Sequence, residues 1–301
     1  MSGQTKYADW IAVDWGTSNL RVWAMQGDEP RDLVTSDQGM SSLSRDAFEP
    51  TLISLIDGWL GTETTPVIAC GMVGSRQGWI EAPYRAVPTT PLGSLCQVTC
   101  NDPRIETYIL PGLKQTTHPD VMRGEETQIA GFLTLEPDFD GVLCLPGTHS
   151  KWVRISAGEI VSFQTFMTGE IFDLLGTRSV LRHSTASTEN WDETAFLETI
   201  STTLSRPEQL AAKLFQIRSA SLLDGVCSDV GRASLSGLLL GAELAGAKPY
   251  WLGQDIALIG HPDLTELYSS ALNSLAISAR QYAGNQMTLK GLADAYRHRV
   301  K

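Results

Sequence analysis

The chain has 301 residues and a mass of 32.8 kDa, a length that favours two domains or one large one. Hydrophobic residues make up 42% and charged residues 19%, a balance that supports a packed core and excludes extensive disorder. With 34 acidic and 23 basic residues the net charge is −11, so nucleic acid and anionic membrane surfaces are disfavoured as partners.

The cysteine pattern and the hydropathy predict a cytoplasmic protein with no membrane partner. The five cysteines are scattered and form no C-x-x-C pair, which favours reduced thiols over disulfides or a zinc site. The first ten residues contain no apolar segment typical of a signal peptide. The most apolar stretch, residues 234–247, is interrupted by Glu243 and is too short to span a bilayer.

The first predicted elements are two short strands joined by a small polar turn. Residues 9–14 form an apolar, β-rich run, and apolar and polar side chains alternate over residues 20–25. The turn between them contains Gly16, Thr17, Ser18 and Asn19. This pattern predicts a β-hairpin.

Further strands and helices alternate along the chain. A helix is predicted at 46–61, a strand at 66–70 leading into a glycine-rich loop at 71–78, a short strand at 107–110 and a helix at 125–135. Later helices are predicted at 171–181, 192–205, 208–219, 233–245 and 263–283, with a strand at 255–259. The alternation predicts an α/β protein, and docking of the final helix back onto the first domain is left open.

A second strand–turn–strand unit lies in the middle of the chain. Strands are predicted at 141–145 and 151–155, on either side of the turn 146–150. The presence of a strand–turn–strand unit in each half of the chain suggests two related domains. Glycine lets such a turn approach a ligand closely, and its N–H groups and hydroxyls can donate to phosphate.

These two turns are candidate phosphate-binding sites. An ordinary polar hairpin turn has the composition of the first one, so that motif alone leaves both interpretations open. The second turn offers Gly147, Thr148, His149, Ser150 and Lys151. With both present, two phosphate-binding turns are the favoured interpretation, and Asp14 before the first could hold Mg²⁺ beside the phosphate.

Other nucleotide and hydrolase motifs are missing from the sequence. It has no G-x-x-x-x-G-K-[ST] and no G-x-G-x-x-G after a strand, which disfavours P-loop kinases and dinucleotide dehydrogenases. It also lacks G-x-S-x-G and H-E-x-x-H, which disfavours α/β-hydrolases and zincins.

The paired turns resemble the phosphate loops of the sugar kinase/Hsp70/actin superfamily. Within it, the whole chain is similar to the 2-dehydro-3-deoxygalactonokinase family of D-galactonate breakdown. The segments that carry this similarity are 11–21, 70–79, 121–131, 145–152, 166–170 and 258–262. The resemblance implies two ribonuclease-H-like α/β domains with an ATP cleft between them, here expected at residues 1–120 and 121–301.

The implied reaction is ATP- and Mg²⁺-dependent phosphorylation of 2-dehydro-3-deoxy-D-galactonate at its C6 hydroxyl. Related kinases place an acidic base after a glycine at the start of a helix, which matches Gly124 followed by Glu125 and Glu126. Glu125 is the preferred candidate for the base, and Glu126 and Asp14 are the next candidates. Acidic residues also occur in first helical turns merely because they stabilise the helix dipole.

The small-molecule substrate implied is a sugar acid, whose carboxylate suits an arginine fork. Arg76 is the first candidate, followed by Arg85 and Arg123. Contacts to the sugar are expected from Ser75, Gln77, Trp79, Thr168 and Glu170. Gly260 resembles the adenosine motif of the superfamily. Alternatively, the arginines face solvent and the other expected sugar contacts only pack a loop. Gly260 could equally belong to a simple strand-to-helix turn.

Three broader alternatives stay open. The chain could phosphorylate another sugar acid or a polyol. It could act as a nucleotide-gated switch of the same fold, although no peptide-binding extension supports that interpretation. A homodimer is compatible with the sequence.

Overall fold

The chain divides into two structural units. The computed structural model describes residues 7–186 and 190–299. The first unit comprises the described residues up to Asp140, the segment Ile155–Ser162 and the described residues from Ala283 onward. The second comprises Gly141–Arg154 and the described residues of Phe163–Tyr282. The sequence predicts one boundary between residues 120 and 121, whereas the observed division lies after Asp140 and the chain returns to the first unit twice.

Strands and helices follow one another in groups along the chain. Up to residue 140 they are β1 (Trp10–Trp15), β2 (Leu20–Gln26), β3 (Glu29–Ser36), α1 (Phe48–Ile56), β4 (Thr65–Gly71), β5 (Arg85–Ala86), β6 (Cys96–Val98), β7 (Ile105–Ile109), β8 (Leu113–Gln115), β9 (Asp120–Met122) and α2 (Glu125–Leu135). After residue 140 they are β10 (Gly141–Leu145), β11 (Ser150–Ser156), β12 (Glu159–Phe166), α3 (Thr168–Arg178), α4 (Glu193–Ser205), α5 (Leu210–Leu223), α6 (Ser228–Gly246), α7 (Lys248–Trp251), β13 (Ile256–Gly260), α8 (Pro262–Asn273), β14 (Ala279–Ala283) and α9 (Gly284–His298). Short 3₁₀ helices lie at Met40–Ser42, Arg45–Ala47, Asp57–Trp59, Met72–Gly74, Val180–His183 and Pro207–Gln209. Among the described residues, no helix is long and apolar enough to cross a bilayer.

The first unit is built on a six-stranded sheet in the order β3-β2-β1-β4-β7-β6. The predicted hairpin is confirmed, since β1 pairs antiparallel with β2. On its other side β1 pairs parallel with β4, so the carboxyl ends of both strands meet at one edge of the sheet. Strand β3 was not predicted because its side chains are mostly exposed and lack the apolar alternation of a buried strand.

The helix predicted at 46–61 is shorter than expected. Helix α1 covers only Phe48–Ile56, and 3₁₀ turns flank it at both ends. Its buried residues pack on the sheet in a cluster that includes Trp15, Phe48 and Trp79. The Phe48 and Trp79 rings stack with centroids 6.2 Å apart. This cluster anchors the loop after β4 to the core.

The second unit is built on a five-stranded sheet in the order β12-β11-β10-β13-β14. The predicted second strand–turn–strand unit is confirmed as β10 and β11, and β10 pairs parallel with β13. Its core contains Trp152, Phe196 and Leu240 from three different elements. As in the first unit, strands β10 and β13 bring their carboxyl ends to one edge of the sheet.

The helix predicted at 263–283 is wrong in its second half. Helix α8 ends at Asn273, Ala276 takes a positive φ of 61°, and residues 279–283 form the strand β14. A left-handed backbone at a non-glycine residue interrupts a helix without leaving a glycine or proline signal in the sequence. Helix α9, which follows, was not predicted.

Helix α9 packs closely against α2 in the first unit. A Cβ on Gly131 would lie 1.9 Å from the Met287 carbonyl oxygen, and one on Gly291 would lie 1.9 Å from the Thr127 carbonyl oxygen. The two helices therefore touch backbone to backbone, which only glycine permits at these positions. The side-chain amide of Gln128 also donates to Thr288 Oγ1 at 3.3 Å. This contact fixes the position of α2.

Candidate active site

The segment after β3 packs against the turn between β1 and β2 and forms a hydrogen bond with it. The Gly16 amide donates to the Asn19 carbonyl at 2.9 Å, which closes the turn. The Met40 amide donates to the Gly16 carbonyl at 2.9 Å. A Cβ on Gly39 would lie 2.3 Å from the carbonyl carbon of Ser18. The side chains of the three residues after Gly16 are exposed, so they are free to meet a ligand.

Gly39→Ala should displace this first turn, because backbone rather than a flexible side chain occupies the space of the new methyl group. We expect nucleotide affinity to fall about tenfold and stability to fall by about 1–3 kcal/mol, the usual cost of overpacking. Calorimetric titration with ADP and a thermal melt measure the two effects. Gly58→Ala is the matched control, since nothing lies within 4 Å of its Cβ position. Wild-type nucleotide affinity in Gly39→Ala would contradict the prediction.

Asp14 lies near the end of β1, directly behind the first turn. It forms an ion pair with Arg21, which also bonds to Asn285. Its other oxygen, Oδ1, lies 3.8 Å from the Cys70 thiol, a weak donor. A single carboxylate with one lightly engaged oxygen suits Mg²⁺ that takes its remaining ligands from phosphate and water. No group of three potential metal ligands occurs among the described residues.

The start of α2 meets the end of β4. Gly124 has a φ of +110°, and a Cβ on it would lie 3.5 Å from the Gly71 Cα. The Gly124 amide donates to both carboxylate oxygens of Glu126, at 2.9 and 2.8 Å. The Arg123 amide donates to Glu125 Oε2 at 3.0 Å. Both glutamate side chains therefore point toward the start of the helix, where they accept hydrogen bonds from backbone amides that precede them.

The two glutamates differ in exposure. Glu126 is fully buried, and this burial together with the charge of Glu125 raises the pKa of Glu126 to about 8. Glu125 is only half-buried. Burial, with the charges of Asp14 and Glu126, also raises the pKa of the Cys70 thiol. Asp14 and Glu126 therefore lie near Cys70, Glu125 lies near Glu126, and Glu125 is more accessible than Glu126.

The raised pKa of Glu126 makes stability depend on pH. The folded chain keeps the Glu126 proton up to a pH of about 8, whereas an ordinary glutamate loses it near 4.5. The folded state thus binds more protons in this window, so the free energy of unfolding falls as the pH rises. In Glu126→Gln this contribution is absent, and we expect its melting temperature relative to wild type to increase with pH across the window. Parallel melting profiles of the two proteins would contradict this expectation.

The loop after β4 divides the predicted sugar contacts into exposed and buried groups. Arg76 and Gln77 are exposed to solvent. Trp79 is 7% exposed and belongs to the core cluster with Trp15 and Phe48. The hydroxyl of Ser75 is buried and has no hydrogen-bond partner among the described residues.

Arg85 and Arg123 have different environments. Arg85 is engaged by the segment that follows it, donating to the Thr90 carbonyl at 3.1 Å and to Thr89. Arg123 is 9% exposed, donates to the Ala82 carbonyl at 2.8 Å, and lies 4.3 Å from the centroid of the Tyr84 ring.

Arg123 retains unused hydrogen-bond donors. Its Nε and Nη1 atoms are buried without a partner among the described residues. A Cβ on Gly74 would lie 2.8 Å from Nη1, so the guanidinium lies against the backbone just before Ser75. Unpaired buried donors of a cation cost free energy that an anion could recover. This arrangement fits a carboxylate of a ligand.

The turn between β10 and β11 contacts the start of α3 in the second unit. The Glu170 amide donates to the Thr148 carbonyl at 2.9 Å, and the Glu170 carboxylate lies 2.6 Å from His149 Nε2. A Cβ on Gly169 would lie 2.4 Å from the Gly147 carbonyl oxygen. Residues predicted for phosphate and residues predicted for sugar thus form one cluster.

The last two residues of the predicted second phosphate turn lie in a strand. Ser150 and Lys151 begin β11 and are 0% and 4% exposed. The Ser150 hydroxyl lies 2.7 Å from the Tyr268 hydroxyl in the core. The exposed part of the turn is therefore limited to Gly147, Thr148 and His149.

A cavity of about 660 Å³ opens next to this turn within the second unit. Its lining includes Gly147, Thr168, Arg232 and Tyr268. A Cβ on Gly260 would lie 3.3 Å from the carbonyl oxygen of Pro146, the residue before the turn. The predicted adenosine glycine thus adjoins the second turn. Sequence reasoning missed Arg232 and Tyr268 because helices far apart in the sequence supply them.

Comparisons with known proteins identify the family of the chain. The sequence model of the 2-keto-3-deoxy-galactonokinase family matches residues 14–295. A probable 2-dehydro-3-deoxygalactonokinase of Rhizobium meliloti is 37% identical over 96% of this chain and 96% of its own length. The 2-dehydro-3-deoxygalactonokinase of Escherichia coli is 35% identical over 95% of this chain and 96% of its own length.

A solved structure confirms the fold. The crystal structure of a candidate 2-dehydro-3-deoxygalactonokinase from Sinorhizobium meliloti is 36% identical, with a TM-score of 0.90 over 96% of this chain and 98% of that one. The α/β fold of the sugar kinase/Hsp70/actin superfamily, which the sequence resemblance implied, is thereby confirmed. The chain belongs to the 2-keto-3-deoxy-galactonokinase family.

Proposed function

We propose that this protein is a kinase that transfers the γ-phosphoryl group of ATP to the C6 hydroxyl of 2-dehydro-3-deoxy-D-galactonate in galactonate catabolism. The names of its relatives support the substrate and the reaction class. The observation that carries the proposal is the placement of Asp14 and Glu126 beside Cys70, with the accessible Glu125 next to Glu126 and a glycine-containing turn after Asp14. Phosphoryl transfer needs such positioned charge and a base for the attacking hydroxyl.

Two turns are the proposed phosphate contacts for ATP. In the first unit, the exposed turn at 16–19 donates to phosphate oxygens through peptide N–H groups and hydroxyls. In the second unit, the turn at 147–149 does the same, the cavity that Gly147 lines takes the adenosine, and Gly260 adjoins the residue before the turn. Asp14 would hold Mg²⁺, which neutralises charge on the phosphate oxygens when it is bound.

Glu125 acts as the general base in this proposal. Its carboxylate accepts the proton of the C6 hydroxyl, the hydroxyl oxygen forms the bond to the γ-phosphorus, and the bond to the bridging oxygen of ADP breaks. Glu126 is fully buried and keeps its proton below a pH of about 8, so it does not compete for this role. Its contact with the Gly124 amide instead fixes the start of α2.

Arg123 and Ser75 hold the substrate carboxylate in this proposal. Both have buried polar atoms with no partner among the described residues, and Arg123 is two residues from the base. A guanidinium offers two parallel donors that match a carboxylate. Arg76, the first candidate from sequence, is exposed and has no comparable buried setting.

Analysis of the product tests the proposed reaction. The chain is incubated with ATP, Mg²⁺ and 2-dehydro-3-deoxy-D-galactonate, and the product is examined by phosphorus NMR. We expect a phosphomonoester whose phosphorus couples to the C6 protons. A product esterified at another position would contradict the proposed regiochemistry, and absence of any ester would contradict the kinase reaction with this substrate.

A further inference from the structure

A buried carboxylate that the proposed reaction does not use lies in the core of the second unit. Glu243 is on α6 and is 2% exposed, the one charged residue in the apolar stretch 234–247. Its Oε1 accepts a hydrogen bond from Trp152 Nε1 at 2.8 Å, and its Oε2 accepts one from the Tyr268 hydroxyl at 2.9 Å. The hydroxyls of Thr168 and Ser150 also bond to this carboxyl group.

The four donors come from three other elements of the second unit. Ser150 and Trp152 lie on β11, Thr168 begins α3, and Tyr268 is on α8. A carboxylate has about four acceptor positions, so the donors match its capacity. A buried carboxyl is costly unless it is satisfied in this way. The group therefore ties α6 to each of those elements at one point.

The hydrogen bonds of Glu243 reach residues that line the cavity and residues next to the second turn. Thr168 and Tyr268 line the cavity together with Gly147. The residues next to Thr168 touch the turn, since a Cβ on Gly169 would lie 2.4 Å from the Gly147 carbonyl oxygen. A shift of Thr168 would thus move the backbone against which the turn packs.

We propose that Glu243 is a positioning residue for nucleotide binding, which acts through Thr168 and Tyr268 on the wall of the cavity and on the second turn. It does not touch the nucleotide itself. The inference rests on the proposed function for the identity of the ligand, an adenine nucleotide, and it predicts an effect on nucleotide affinity that is separate from binding of the sugar acid.

Glutamine at this position changes the hydrogen bonding while keeping the volume. The Trp152 indole can only donate, so the amide oxygen of the introduced glutamine would have to face it. The amide NH₂ would then face Tyr268 and Thr168, whose hydroxyls would have to turn and accept. Glu243→Gln therefore reorients the cavity wall without leaving a void.

The experiment measures ADP affinity of the full chain by calorimetric titration and the KM values for both substrates. For Glu243→Gln we expect ADP affinity and the KM for ATP to worsen about tenfold, the size of one lost charge-assisted hydrogen bond. The KM for the sugar acid should rise much less than the KM for ATP, because Thr168, which the sequence predicted as a sugar contact, lines the cavity assigned to adenosine. The double variant with Thr168→Val should lose little more than Thr168→Val alone, because the two residues act as one unit.

Glu49→Gln is the matched control in the first unit. Glu49 is also buried, and its Oε1 accepts from the amides of Asn101 and Asp102 at 2.7 Å, neither of which is a predicted ligand residue. We expect its variant to lower the melting temperature and leave ADP affinity unchanged.

Wild-type ADP affinity in Glu243→Gln, or an equal worsening of both KM values, would overturn the inference. Additive losses in the double variant would overturn the route through Thr168. A wild-type chain that binds ADP but phosphorylates no acceptor would contradict the proposed function alone, since the calorimetric comparison would still decide the role of Glu243.

Discussion

Glu125→Gln is expected to reduce turnover by about 10²–10⁴-fold, the usual contribution of a general base. The amide cannot accept the proton of the C6 hydroxyl, yet it keeps the volume of the side chain. The acceptor bond from the Arg123 amide can also be retained by the amide oxygen. Affinity for ATP should therefore be nearly unchanged. The turnover number and the dissociation constant for ADP, measured on the same preparation, check both parts.

Glu126→Gln is the matched control for this prediction. Glu126 is fully buried and already holds its proton at neutral pH, so the amide replaces a neutral carboxyl group of the same shape. We expect its turnover to fall by less than about tenfold. A collapse of turnover in Glu126→Gln with little change in Glu125→Gln would reverse the roles of the two glutamates.

Arg123→Gln is expected to raise the KM for the sugar acid by about 10–100-fold, the range for losing charged hydrogen bonds to a buried ligand group. The KM for ATP should change little. Arg123→Lys keeps the charge but not the fork, so it should recover only part of the loss. Because Arg123 also bonds to the Ala82 carbonyl, melting temperatures of both variants must accompany the kinetics.

Arg76→Gln serves as the control for the carboxylate site. Arg76 follows Ser75 on the loop after β4 but is exposed, so we expect its variant to change the KM for the sugar acid by no more than about threefold. A large loss in Arg76→Gln with a small one in Arg123→Gln would restore the order of candidates expected from the sequence. Equal losses in both variants for ATP and sugar acid would instead indicate a general disturbance of the fold.

Much of the fold follows from local patterns. The hairpin of β1 and β2, the strand β10 and helix α2 are all predicted, because β1 and β10 are apolar runs that end at a turn, β2 alternates, and α2 begins with two acids after Gly124. Failures occur where that signal is weak. Strand β3 is mostly exposed, and the break after α8 depends on a positive φ at Ala276, a residue with no turn preference.

The candidate site is less predictable, because its details depend on burial. The sequence places Glu125 and Glu126 side by side, but only the fold distinguishes the buried one from the accessible one. In the same way, the sequence does not distinguish Arg123 from Arg76, but the fold buries Arg123 and exposes Arg76. Glu243 was visible as a charge in an apolar stretch, yet its donors come from elements that are distant in the sequence.

The central claim is that this chain phosphorylates one sugar acid at the expense of ATP, and acceptor-dependent release of ADP tests it most directly. The assay compares 2-dehydro-3-deoxygalactonate, its gluconate epimer and neutral sugars, each with Mg²⁺ and ATP. We expect strong turnover confined to the galactonate compound. Release of ADP that is independent of any acceptor, or equal turnover with neutral sugars, would contradict the claim.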